Sequence, residues 1–254
     1  MIKDFQTYIN EGLFDRSQSE FGIRKTDKGI EQLYIPKTRD ELHSYIDIDI
    51  ENARKVGTYP NVNLNNIDVS ELRDGELDGL FGDDMYKQIN PDISNWNIKY
   101  IPNKFFDNNE QIKEFTISSS VTSIEDWSFA CCRGLTSIEI PNSVTSIGYC
   151  AFEDCSSLHA VTIPDSVIDI GNYAFYNCKG LTSVTIGNSV TSIGEGTFYG
   201  CDGLSSIEIP DSVTKIVNGA FFNCGSLTSA TISKNCNIGA SAFPKNCKIT
   251  RRDD

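Results

Sequence analysis

The chain has 254 residues, 39% of them hydrophobic, and a formal net charge of −13, enough for one large or two small domains with a core. The acid excess covers both halves, with 21 acids against 13 bases over residues 1–111 and 14 against 9 beyond; such a surface repels phosphate backbones, so no nucleic-acid partner is expected. No stretch approaches the length that crosses a bilayer, so no membrane insertion is expected.

Residues 1–11 suit a short amphipathic helix with Ile2, Phe5, Tyr8 and Ile9 on one face. The start, Met1-Ile2-Lys3-Asp4-Phe5, lacks the basic run and apolar stretch of a secretory leader. Ile9-Asn10-Glu11-Gly12 then resembles the capsid-targeting leader of proteins packaged into tailed-phage heads, which a prohead protease cuts after an (I/L)-x-E triplet. That resemblance implies processing between Glu11 and Gly12. Localisation therefore stays open: cytoplasmic or virion-associated as the chain stands, bacterial surface if a leader has been removed.

Phe21 to Ile35 reads as a hairpin around Asp27-Lys28-Gly29, closed by Pro36. A helix follows. Thr38 and Glu41 make a capping box, Leu42, Ile46, Ile50 and Ala53 form its apolar stripe, and Gly57 is the stop. Residues 1–61 thus read as a small α+β domain.

Residues 62–111 read as degenerate repeats. The run NPDISNWNIKYIPNKFF, residues 90–106, resembles the DISNW(D/N)V repeat of bacterial surface proteins, and IDVSELRDGELDGLF, residues 67–81, looks like a preceding copy. Leu80-Phe81 and Phe105-Phe106 become equivalent positions 25 residues apart, with Trp96 as a core anchor.

From Ile112 a 23-residue unit recurs, opening again at Leu135, Leu158, Leu181, Leu204 and Leu227. Within each unit the Leu-x-x-Val-x-Ile spacing ends in the alternation of a short strand, broken by Pro141, Pro164, Gly187 or Pro210. A Val column follows (Val144, Val167, Val190, Val213), each with an Ile three residues on. Then come a Phe column (Phe129, Phe152, Phe175, Phe198, Phe221) and a Cys column (Cys132, Cys155, Cys178, Cys201, Cys224). Stacked coils lay each apolar residue on its own copy, burying a core that no single unit could close. In the sixth unit Cys236 takes the Val position, Ile238 arrives one residue early and Pro244 follows Phe243, as a capping coil would show. Residues 248–254 read as a tail.

This pattern, down to LTSVTIGNSVTSIGEGTFYGC, resembles the BspA-like leucine-rich repeats over residues 112–247. The expected fold is an α+β N-terminal segment followed by a leucine-rich-repeat solenoid of short parallel strands and 23-residue coils.

Five of the nine cysteines fall in the inward column, where buried free thiols are expected. Adjacent strands lie within disulfide reach, so a disulfide ladder is the sharper alternative; Cys150, off the column, is expected to react first. There is no C-x-x-C pair and only two histidines, so no metal and no cofactor are expected. Those histidines, His43 and His159, read as surface residues. Asp74 to Gly79 opens like a calcium loop, but Met85 stands at its twelfth position, where a bidentate Glu is needed. No catalytic constellation appears, so no enzyme is expected.

Two surfaces remain as candidates for binding. The strand face carries Glu139, His159, Thr162, Thr185 and Glu208, a polar strip whose plainer reading is a solvated sheet. The second is an aromatic stripe one residue past the Phe column, Tyr176, Tyr199 and Phe222, with Tyr149 and Tyr173 nearby. These rings either lean on neighbouring coils or form a ridge for a protein or glycan partner. The repeat resemblance implies a non-enzymatic, surface-associated, adhesin-like recognition scaffold. The leader resemblance implies a structural or packaged component of a tailed-phage virion.

Overall fold

The computed structural model describes residues 20–26, 29–59, 61–64, 67, 69, 72, 75–82, 86–94 and 96–252, and side chains from Tyr34 onward. The expected helix over residues 1–11 and the Glu11-Gly12 processing position lie outside the described residues. Strands β1 (Glu20–Thr26) and β2 (Gly29–Ile35) pair antiparallel, while Asp27 and Lys28 of the expected turn lie outside the described residues. Helix α1 (Arg39–Val56) follows. Thr38, extended at φ −138°, accepts the Glu41 amide at 3.2 Å. The Glu41 carboxylate reaches back to the Lys37 amide at 2.7 Å, one residue further than a standard capping box. Gly57 closes the helix at φ +80°, a left-handed turn that favours glycine.

The expected stripe of α1 is buried, together with Tyr45. It packs over the first coil. Tyr45 stacks on Tyr34 at 5.1 Å, Arg39 donates to the carbonyls of Glu76 and Asp78 at 3.0 and 2.6 Å, and the Tyr86 hydroxyl donates to Asp47 at 3.2 Å. The helix thereby covers apolar surface that a solenoid's first coil has no preceding coil to bury. One continuous core runs from Leu42 to Phe243.

Beyond α1 the chain winds into parallel coils. Three-residue strands recur at Asn61–Asn63, Asn90–Asp92, Glu114–Thr116, Ser137–Glu139, Ala160–Thr162, Ser183–Thr185 and Ser206–Glu208, then a four-residue strand at Ser229–Ile232. Their pairing is parallel, with 23-residue offsets through the regular coils. Lys248–Arg251, expected as part of a tail, is one more parallel strand on Ser229–Ile232. Arg251 bonds the carbonyls of Ser233, Lys234 and Cys236, which ties it to the preceding coil. A second ladder of two-residue strands runs beside the first, from Tyr100–Ile101 to Asn237–Ile238. It places the Ile of each Val-x-x-Ile inside.

The third side carries the Phe column, and it begins earlier than the regular repeat. Phe81 stacks on Phe106 at 5.5 Å and Phe106 on Phe129 at 5.0 Å, so the 25-residue equivalence is an actual register. From Phe129 to Phe243 successive centroids lie 5.1, 5.1, 5.4, 5.2 and 5.0 Å apart, with planes within 10°. Each of these Phe amides from Phe106 to Phe221 donates across to the next coil at 2.7–2.8 Å, accepted by Ser128, Ala151, Ala174, Thr197, Ala220 or Ala242. Those acceptors are small and buried, which lets the backbones approach. Trp96 is buried and its indole N–H donates to the Leu64 carbonyl at 2.9 Å.

Each column cysteine is buried and unpaired, and its Sγ lies 3.0–3.3 Å from the carbonyl of a Phe 26 residues earlier, from Cys132 on Phe106 to Cys224 on Phe198. A thiol suits this place because it packs as a small hydrophobe and still offers a weak donor. One coil before Cys132 the same position holds Asn109, wholly buried, whose amide donates to the Phe81 and Ile89 carbonyls at 3.2 and 2.9 Å. Burial pushes the thiols of Cys155 and Cys178 well up. Cys150 is buried as well and its thiol is pushed up to about 12, first by burial and then by Glu153. That corrects the expectation that it reacts first; Cys131 and Cys247 are the half-buried pair.

Candidate binding surface

Six successive coils each turn two left-handed corners at fixed columns. One runs Lys104, Trp127, Cys150, Tyr173, Gly196, Gly219; the other runs Asn108, Cys131, Asp154, Asn177, Gly200, Asn223. The first column aims Trp127 and Tyr173 outward along the side that also carries Tyr176, Tyr199 and Phe222. The rings join. Trp127 meets Tyr149 at 5.1 Å, Tyr149 meets Tyr173 at 5.8 Å, and Tyr173 meets Tyr176 at 5.8 Å. Tyr176 stacks on Tyr199 at 4.9 Å, and Tyr199 meets Phe222 at 5.8 Å.

All five expected ridge residues therefore share one surface. Tyr149 is 39% exposed and Phe222 43%, while Tyr173, Tyr176 and Tyr199 are half-buried. The rings lean on one another from coil to coil, as the plainer alternative expects, and keep partly exposed outer faces. Sequence reasoning missed Trp127, although it stands two coils before Tyr173 in the same column. The ridge crosses columns, because Tyr149 sits one residue before the corner and Tyr176 three after it.

Local geometry holds the ridge. Tyr149 has its amide held by the Asp126 carboxylate at 2.7 Å. The Tyr173 hydroxyl donates to Glu195 at 2.6 Å, a bond that pushes the phenol pKa up to about 12. A Cβ at Gly196, where φ is +60°, would run into the Tyr173 ring. At one end, the Lys104 ammonium lies 5.4 Å from the Trp127 ring centre.

The strand face is different. Glu139, Thr162 and Thr185 line an open depression of about 680 Å³ with Ile138, Ile140 and Val161. It sits where the ladder is interrupted between Ser137–Glu139 and Ala160–Thr162. A second of about 460 Å³ lies between Asn90–Asp92 and Glu114–Thr116, lined by Pro91 and Phe115. His159 is exposed and outside the first depression, and Glu208 is bridged to Arg252 at 3.0 Å. Of the expected strip, Glu139, Thr162 and Thr185 thus come together and the other two do not. His43, expected on the surface, is half-buried and edge-on to Tyr86 at 5.3 Å. Among the described residues no group of three or more His, Cys, Asp or Glu is placed to hold a metal ion, and no helix is long and apolar enough to cross a membrane.

The family profile of the BspA type leucine rich repeat region, six copies long, matches residues 58–159 and 145–252. The chain belongs to that family. The match opens at residue 58, so residues 62–111, expected as a separate degenerate repeat type, are covered by the same BspA-type profile. Comparison with curated protein sequences yields no match. Among solved structures, the Treponema pallidum leucine-rich repeat protein is 21% identical with a TM-score of 0.53, covering 91% of each chain. A leucine-rich repeat protein from Bacteroides ovatus is 21% identical with a TM-score of 0.52, over 92% of this chain and 68% of that one. One from Eubacterium ventriosum is 19% identical with a TM-score of 0.54, over 74% and 60%. These likenesses show the fold: this BspA-type chain is a leucine-rich-repeat scaffold.

Proposed function

We propose that this scaffold is a non-enzymatic recognition module whose partner docks on the aromatic ridge. The observation that carries the reading is the unbroken run of six rings from Trp127 to Phe222, each partly exposed and each within 5.8 Å of the next. Large aromatic groups dominate interface energies, and a contiguous exposed aromatic surface on a soluble fold marks an interaction site. An adhesin-like placement on a bacterial surface fits a repeat scaffold of this kind and belongs to the same proposal.

The test is a thermal melt of the triple variant Tyr176→Ser/Tyr199→Ser/Phe222→Ser. The Leu, Val, Ile, Phe and Cys columns hold the core without these rings, so the expected loss is about 1–2 kcal/mol, a shift of a few degrees. A collapse of the melt as large as that of a buried Phe truncation would end the reading. The rival proposal, a virion component, rests on Ile9-Asn10-Glu11-Gly12 alone; intact-mass detection of a native chain beginning at Gly12 would favour it.

A further inference from the structure

The ridge is not electrically neutral. Glu195 accepts the Tyr173 hydroxyl at its middle. Glu153 occupies the same column as Tyr176, Tyr199 and Phe222, one coil earlier, and together with Asp154 it lies close enough to raise the Tyr176 phenol pKa behind the larger effects of burial and of Tyr199. Of the basic side chains nearby, Arg133 is bridged to Glu110 at 3.2 Å. Lys104 is already laid over the Trp127 ring at 5.4 Å. The ridge therefore starts with one of the chain's own cations on an aromatic face and continues as further aromatic faces flanked by carboxylates. Aromatic faces attract ammonium and guanidinium groups within about 6 Å of the ring centre, and a field of carboxylates concentrates cations along such a surface.

We infer that the ridge takes a basic, extended protein segment, with arginine or lysine side chains laid on Tyr149, Tyr176, Tyr199 and Phe222 and paired to Glu153 and Glu195. The Lys104–Trp127 contact is the arrangement repeated along it. This rests on the reading of the ridge as the docking surface and adds the chemistry of the partner. A neutral glycan would use the same rings but would have no need of the carboxylates; an acidic segment would be repelled by them.

The experiment uses the full chain and a fluorescein-labelled hexa-arginine peptide at about 0.15 M salt, where exposed charges are screened beyond about 8 Å, with fluorescence anisotropy as the readout. The wild-type chain binds. The charge-neutral variant Tyr176→Ser/Tyr199→Ser/Phe222→Ser weakens binding roughly ten- to a hundredfold, the product of about two- to fivefold per cation on an exposed ring. Glu153→Gln/Glu195→Gln weakens it by a similar factor. Asp40→Asn/Glu51→Gln, which removes the same charge from the exposed face of helix α1, leaves it within about twofold, as expected for exposed charges screened at this salt. An equal loss for the two carboxylate pairs means general attraction to an acidic chain and overturns the inference, as does failure of the peptide to bind wild type. A neutral oligoglucan that binds and loses affinity in the ring variant, while the peptide does not bind, overturns the basic partner and keeps the ridge. The melt of the ring variant judges the ridge itself, apart from any probe.

Discussion

Truncating Phe175 to alanine tests whether the Phe column carries the fold. Phe175 is fully buried, with Phe152 stacked at 5.1 Å on one side and Phe198 at 5.4 Å on the other, both within 4° of parallel. Buried Phe truncations cost about 3–5 kcal/mol, and two lost stacking partners place this one toward the top of that range. A coil of 23 residues contributes on the order of 1–3 kcal/mol of net stability at about 0.05–0.15 kcal/mol per residue. The loss at one position thus exceeds the share of its whole coil. Because coils couple only to their neighbours, the stack should divide near residue 175, and denaturant unfolding followed by circular dichroism should show two transitions in place of one. Hydrogen exchange should place the weaker protection in the coils around 152–198. Phe243→Ala, with a single stacking partner at 5.0 Å, should cost roughly half as much. A Phe175→Ala curve that shifts no further than that of the exposed Thr185→Ala would refute the column as the centre of the core.

Cys155, Cys178, Cys201 and Cys224 should resist alkylation in native buffer and become reactive together in urea, with Cys131 labelled first and Cys150 slow; disulfides between 23-spaced cysteines in mass spectra would contradict this. The thiols of Cys155 and Cys178 are held neutral by burial, so their contribution to stability is complete below the ordinary thiol pKa of about 8.5. It falls as pH rises beyond that value, because the unfolded chain then releases protons that the folded one retains; melts in alkaline buffer check the sign. Asn109→Ala should cost about 2–4 kcal/mol by stranding the Phe81 and Ile89 carbonyls, and Asn109→Cys visibly less, as denaturant midpoints would report. Spectrophotometric titration should find one tyrosine ionising near 12, and Glu195→Gln should bring it back toward the ordinary value. Gly196→Ala should displace the Tyr173 ring and change near-ultraviolet circular dichroism at a small cost in stability.

The regular coils were legible because a solenoid stacks like on like: a Leu, Val, Phe or Cys that recurs every 23 residues has one physical reason to do so. Helix α1 was legible from Thr38, its apolar stripe and Gly57, each a local signal. The ladder of two-residue strands was not, since two residues are too short to show an alternation. The first column of left-handed corners was hidden because Lys104, Trp127, Cys150 and Tyr173 occupy it instead of the usual glycine or asparagine. Asn109 escaped the Cys column because a shared donor role, and not a shared residue type, places it there. For the ridge, the 23-residue step exposed Tyr176, Tyr199 and Phe222, but Trp127 joins only through ring contacts that pass between columns. The strand at Lys248–Arg251 gave no signal, as its side chains are all exposed and its place is set by backbone pairing and by the Arg251 guanidinium on the preceding coil.

The identity of the coil backbones makes the molecule a ruler. Each coil advances the stack by one strand spacing, about 5 Å, and is joined to its neighbours by the same Phe, Cys and backbone bonds. An in-frame duplication of residues 181–203 would present matching faces above and below, add a second copy of Tyr199 to the ridge and lengthen it by about 5 Å. A deletion of the same unit would shorten it by the same amount. Partner size can therefore be tracked by counting coils, through repeat expansion or contraction, without a new core having to be invented.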